Sequence, residues 1–128
     1  MAMRTATLVL SLLLIPLAAM AQERSETHKK VSANAPFEIK LVANPSTGYQ
    51  WKIDTAESAG LDLLSVNDLG TSPPPQMSGE PLVGAPVTQT WLVTPLAPGT
   101  ARLVLIYLRP WERGVPSKTQ VFSLEIAN

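Results

Sequence analysis

Residues 36–54 read Pro-Phe-Glu-Ile-Lys-Leu-Val-Ala-Asn-Pro-Ser-Thr-Gly-Tyr-Gln-Trp-Lys-Ile-Asp. Phe37, Ile39 and Leu41 alternate with Glu38 and Lys40, then Tyr49, Trp51 and Ile53 alternate with Gln50, Lys52 and Asp54. A period of two places one set of side chains on one face, which is the pattern of a half-buried strand. Between the two runs lies Asn44-Pro45-Ser46-Thr47-Gly48, a cluster of turn formers. Asn44 is suited to open a turn by bonding amides ahead of it, Pro45 fixes φ, and Gly48 permits a positive φ. The stretch therefore predicts strand, stiff turn, strand.

The same reading extends outward. We label the expected strands β1 (Thr27 to Ser32), β2 (Pro36 to Val42), β3 (Tyr49 to Asp54), β4 (Leu61 to Asn67), β5 (Val87 to Thr94), β6 (Thr100 to Leu108) and β7, around Phe122, Leu124 and Ile126. β6 is apolar on nearly both faces, as a central strand is. Trp51 and Trp91 fall on strand patterns and are expected in the core. Seven short strands with Gly and Pro at their joints predict an all-β, immunoglobulin-like sandwich of antiparallel strands.

The chain has 128 residues, and residues 1–21 read as a leader rather than as part of the domain. Arg4, the apolar run Leu8 to Ile15 and the closing Ala19-Met20-Ala21 have the three parts of a secretory signal peptide. Cleavage at Ala21-Gln22 leaves one domain, 22–128, secreted or periplasmic. The absence of cysteine excludes disulfides, thiolate metal sites and a thiol nucleophile. One histidine, His28, excludes a multi-histidine metal centre; it sits on or near an edge strand, where a surface role is expected. Ten basic against ten acidic residues give no field to attract nucleic acid or an anionic membrane. No cofactor or metal is expected, and no carboxylate spacing marks a catalytic pair. The mature chain is expected to be a monomer.

Antiparallel strands in sequence order put the β2–β3, β4–β5 and β6–β7 connections at one end of the sandwich. That end collects the distinctive residues, and rigid scaffolds carry recognition on loops. The β2–β3 loop should present the Ser46 and Thr47 hydroxyls, unless it is only a tight hairpin. The β6–β7 loop opens with Arg109-Pro110-Trp111-Glu112, where Pro110 ends ladder pairing and leaves Trp111 outside the core or folded back over the sandwich end. The β4–β5 connection, Asp68 to Pro86, is some nineteen residues long, holds Pro73-Pro74-Pro75 and ends in Gly84-Ala85-Pro86. Loops of that length are commonly functional or mobile. Seven of the eleven prolines after residue 21 (Pro45, Pro73, Pro74, Pro75, Pro81, Pro86 and Pro110) lie in these three loops, with Pro116 close behind, where they would act as stiffeners.

Asn-Pro-Ser-Thr-Gly-Tyr at 44–49, the glycine turn before β5 and Arg-Pro-Trp-Glu at 109–112, in that order, give a chain that resembles the chagasin-like family of cysteine peptidase inhibitors. The resemblance covers Val31 to Ile126. It implies a reversible, non-covalent inhibitor of papain-like cysteine peptidases, not an enzyme, whose three loops form a wedge in the partner's active-site cleft. On that reading Ser46, Thr47 and Gly48 lie over the catalytic cysteine, with Thr47 nearest the thiol. Arg109, Pro110 and Trp111 meet the primed-side wall, and the β4–β5 loop runs along the non-primed cleft. The family carries Gly-x-Gly-Gly in this last loop; here Gly84-Ala85-Pro86-Val87 stands instead. Pro86 lacks an N–H and Val87 cannot take glycine conformations, so weaker or rerouted contacts and a narrower target range are expected. The rival reading is a secreted carbohydrate- or protein-binding module that uses Trp111; a small hydrolase would need His28 beside a serine.

Overall fold

The computed structural model describes residues 23–73 and 85–128. The expected leader and most of the β4–β5 loop, Gly84 included, lie outside the described residues. Seven strands are present among those described: β1 Glu23–Ser32, β2 Phe37–Ala43, β3 Gln50–Ile53, β4 Leu64–Ser72, β5 Val87–Pro95, β6 Gly99–Leu108 and β7 Lys118–Ala127. They form two sheets, ordered β1-β7-β6-β3 and β2-β5-β4. This is the expected sandwich, with β6 flanked on both sides.

Alternation along the strands builds the core. Leu103 and Leu105 of β6, Leu124 of β7 and Val93 of β5 are fully buried, and Trp51 and Trp91 join them as expected. Removing each such aliphatic side chain from water contributes about 1.5–3 kcal/mol. Val104 and Val121, one residue out of phase with the core set, pair across β6 and β7 and are also wholly buried. That explains why β6 reads as apolar on both faces.

Two strands depart from the sequence reading. β1 begins four residues earlier and pairs parallel to β7, the single exception to antiparallel pairing among the described residues. Its residues are exposed nearly throughout, so main-chain pairing holds it rather than burial, and no apolar period announces it. β4 starts at Leu64, not Leu61. Gly60 adopts a left-handed φ of 67° and Leu61–Leu63 form one 3-10 turn, closed by the Leu63 N–H on the Gly60 carbonyl at 3.0 Å. β4 also runs on to Ser72 through a bulge at Asp68/Gly70, where Asp68 Oδ1 accepts the Gly70 N–H at 2.8 Å. Asp68 and Gly70, which look like a turn in sequence, are a kink inside a strand. The β4–β5 connection is correspondingly shorter, with fourteen residues between Ser72 and Val87.

Register settles which loops meet. Ala43 pairs with Val87 and Ser72 with Thr88; in the other sheet Gln50 pairs with Leu108 and Tyr107 with Lys118. The three connections therefore leave one end of the sandwich together.

Candidate functional site

The β2–β3 loop is built by its own backbone. Asn44 is extended, Pro45–Thr47 make a single 3-10 turn, and Gly48 closes it in the left-handed region at φ 81°. The Gly48 N–H donates to the Pro45 carbonyl at 3.1 Å and the Thr47 N–H to the Asn44 carbonyl at 3.2 Å. The expected role of Asn44 is altered. Its carbonyl takes the Thr47 hydroxyl at 2.7 Å as well, and its side-chain oxygen accepts the Ser46 hydroxyl rather than an amide ahead. Both hydroxyls thus donate inward, which fixes the rotamers of an otherwise exposed tip.

Gly48 is required twice. A left-handed φ is strained for any side chain, and a Cβ there would sit 2.1 Å from the Trp111 ring. Trp111 is 68 % exposed, so it neither enters the core nor stands free: its six-membered ring lies on the backbone at Gly48.

A second tie joins the same two loops. Arg109 Nε donates to the Thr47 carbonyl at 2.9 Å, its Nη1 meets Glu112 at 2.8 Å, and its guanidinium lies 4.5 Å over the Tyr49 ring. The hydrogen bond that Arg109 donates to the Glu112 carboxylate raises the Arg109 pKa above its ordinary value, with desolvation opposing it, so the group stays charged. Pro110 and Trp111 turn the chain between these partners, and the Glu112 N–H closes the turn on the Arg109 carbonyl at 3.1 Å. Arg109, a candidate for contact with a partner, is here engaged within the molecule.

Beneath the loops an aromatic column runs into the core. Tyr49 stacks on Tyr107 at 5.0 Å, and Tyr107 lies 4.9 Å from Trp51. Polar atoms on the same rings join the sheets: the Trp51 indole donates to the Val42 carbonyl at 3.0 Å, and the Tyr107 hydroxyl accepts the Asn44 N–H at 2.8 Å. Ala85 and Pro86 lead directly into Val87, opposite Ala43, so the end of the β4–β5 loop abuts the root of the β2–β3 loop. Sequence reasoning gave Asn44 to Tyr49 and Arg109 to Trp111 as candidates but passed over Tyr107 and Glu112. Tyr107 looks like one more inward residue of β6, and nothing local marks its hydroxyl as the partner of an amide 63 positions away.

Five large hydrophobic side chains are exposed among the described residues: Val42, Trp111 and Val115 at or near this end, Leu69 opposite the middle of β5, and Leu96 beyond the far end of β5. A groove of about 480 Å³ on the outside of the four-stranded sheet, lined by residues such as His28, Lys30 and Arg102, lies away from the loop end. A projecting end needs a cleft in its partner, not a pocket of its own. His28 is exposed on β1, as expected, and no cluster of metal-binding side chains occurs among the described residues.

Against known proteins, residues 30–126 match the model of the chagasin family of peptidase inhibitors, I42. The chain is 35 % identical to amoebiasin-2 of Entamoeba histolytica over 97 residues, 75 % of this chain and 74 % of that protein. It is 36 % identical to chagasin of Trypanosoma cruzi over 83 residues, 63 % and 71 % of the two chains. Its fold is similar to the crystal structure of the cysteine protease inhibitor EhICP2 from Entamoeba histolytica, with a TM-score of 0.62, 31 % identity, and 83 % and 97 % of the chains covered.

Proposed function

Because the chain belongs to the chagasin family of peptidase inhibitors, we propose that it inhibits papain-like cysteine peptidases reversibly, by occluding the active-site cleft with its loop end. The supporting observation is the fusion of two loops into one body: Arg109 ties to the Thr47 carbonyl and Trp111 lies on Gly48. A wedge preformed in this way has little ordering entropy to lose on binding. A standard interface of about 1,600 Å² is then enough for tight inhibition.

The same geometry would make the tip a poor substrate. Peptidases of this kind bind substrates as extended strands, by main-chain hydrogen bonds. Residues 45–47 are wound in a 3-10 turn, and the Thr47 carbonyl is already taken by Arg109. The tip can cover a thiolate without offering it an extended peptide bond. With no cysteine of its own the chain forms no disulfide with the target. Thr47 at the tip and Trp111 at its side are the contacts we assign to the partner, with Asn44, Pro45, Ser46, Gly48, Arg109 and Pro110 shaping them. Gly84, Ala85 and Pro86 form the third, altered contact.

The domain acts outside the cytoplasm, in the periplasm or beyond it, after removal of residues 1–21. The charge at Arg4, the Leu8–Ile15 run and Ala19-Met20-Ala21 support this, and mass measurement of exported protein should give a chain beginning at Gln22. For inhibition the test is titration of papain and a cathepsin L-type enzyme with residues 22–128. Loss of peptidase activity in proportion to added protein is expected; no inhibition at micromolar concentration across several papain-like enzymes refutes the reading.

A further inference from the structure

We infer that Tyr107 is a positioning residue for inhibition, its hydroxyl fixing the root of the β2–β3 loop. The inference rests on the function proposed above. Tyr107 belongs to β6 of the four-stranded sheet, while Asn44 follows directly on β2 of the other. The hydrogen bond from the Asn44 N–H to the Tyr107 hydroxyl, at 2.8 Å, therefore crosses between the sheets at the point where the loop departs.

Asn44 is the residue on which the loop's internal bonds converge. Its carbonyl holds the Thr47 N–H and hydroxyl, and its side chain holds the Ser46 hydroxyl. Whatever sets the plane of the peptide entering Asn44 sets the direction of that whole array. The phenol can do this because its ring cannot move. Tyr107 is 6 % exposed and packed between Trp51 and Tyr49, with its backbone paired to both β3 and β7. A rigid ring thus delivers one acceptor oxygen to the amide at which the loop leaves β2. Without it the amide must find water, and alternative loop directions gain weight by the worth of one partly buried hydrogen bond, about three- to tenfold. Affinity falls by the fraction of molecules that remain competent.

Tyr107→Phe removes one oxygen and keeps the ring stack. Inhibition by the variant is expected to weaken by up to about tenfold, in proportion to the fall in the competent fraction, while exchange of the Asn44 amide with solvent accelerates about three- to tenfold and core amides such as that of Val93 do not change. A variant that inhibits as well as the wild type overturns the inference, and so does weaker inhibition without faster exchange at Asn44, which would mark a merely structural role. If the variant does not fold, the Asn44 amide in the wild type decides: protection supports the inference, and exchange at the rate of an unprotected peptide overturns it. Failure of the wild type itself to inhibit refutes the proposed function instead, so the two failures are distinct.

Discussion

The two ends of the sandwich are closed by different means. At the end away from the loops, main chain meets main chain: Ala33 donates to the Ala127 carbonyl at 2.7 Å, Asn34 to the Pro95 carbonyl at 2.7 Å and Leu96 to the Leu63 carbonyl at 2.8 Å. At the loop end, the ties that join the β2–β3 loop and its root to the rest of that end are carried by side chains, through Arg109, Trp51, Tyr107 and the Trp111 ring. Main-chain closure depends little on which residues are present and holds a fold together. Side-chain closure depends on every residue named and holds a shape. The difference separates the part of the molecule that needs only to fold from the part that must fit something.

Changes at the tip should have the largest effect. Thr47→Arg adds bulk at an exposed site and leaves the turn bonds of the backbone intact; inhibition is expected to fall at least about 100-fold, with an unchanged melting temperature. Equal inhibition would place the partner elsewhere. Trp111→Ala removes the exposed ring and uncovers Gly48, a loss of about 2 kcal/mol of binding or roughly 30-fold, read from the inhibition constant. Arg109→Lys keeps the charge but loses the planar fork that reaches Thr47 and Glu112 together. About tenfold weaker inhibition is expected, mostly as faster dissociation, because a lysine cannot make both bonds in the same geometry. The raised pKa of Arg109 means that its contribution is complete below the ordinary arginine value and is lost only as pH rises through the higher folded value. The clamp is therefore insensitive to pH across the neutral range.

Much of the fold is legible in the sequence because burial writes a period. Ile39, Trp51, Trp91, Leu103, Leu105 and Leu124 face the core at alternate positions, and their strands were read from that. β1 could be read only at its second half, since Glu23 to Lys30 are all exposed and pairing to β7 leaves no apolar trace. The end of β4 was hidden by a bulge whose Asp and Gly imitate a turn. At the site, local chemistry at Asn44–Gly48 and Arg109–Trp111 pointed to stiff loops gathered at one end. What the sequence could not carry were the contacts between them. Arg109 reaches back to Thr47 across 62 positions, and the seat of Trp111 on Gly48 is set only when both sheets are in place. Residue type tells what a side chain can bond to, and the fold decides which partner is near.

Two glycines allow the contrast between the ends to be tested most directly. Gly48 and Gly60 both hold a left-handed φ, 81° and 67°, and a Cβ at either would displace a neighbour: at Gly48 the exposed Trp111 ring, met at 2.1 Å, at Gly60 the Thr100 carbonyl oxygen, met at 2.7 Å. Alanine at either site should cost stability, about 1–3 kcal/mol. The decisive measurement is the inhibition constant of folded Gly48→Ala and Gly60→Ala against one papain-like peptidase. Gly48→Ala is predicted to inhibit at least about tenfold less well than Gly60→Ala, which should match the wild type wherever it is folded. Equal inhibition by the two variants would contradict a wedge built at the loop end.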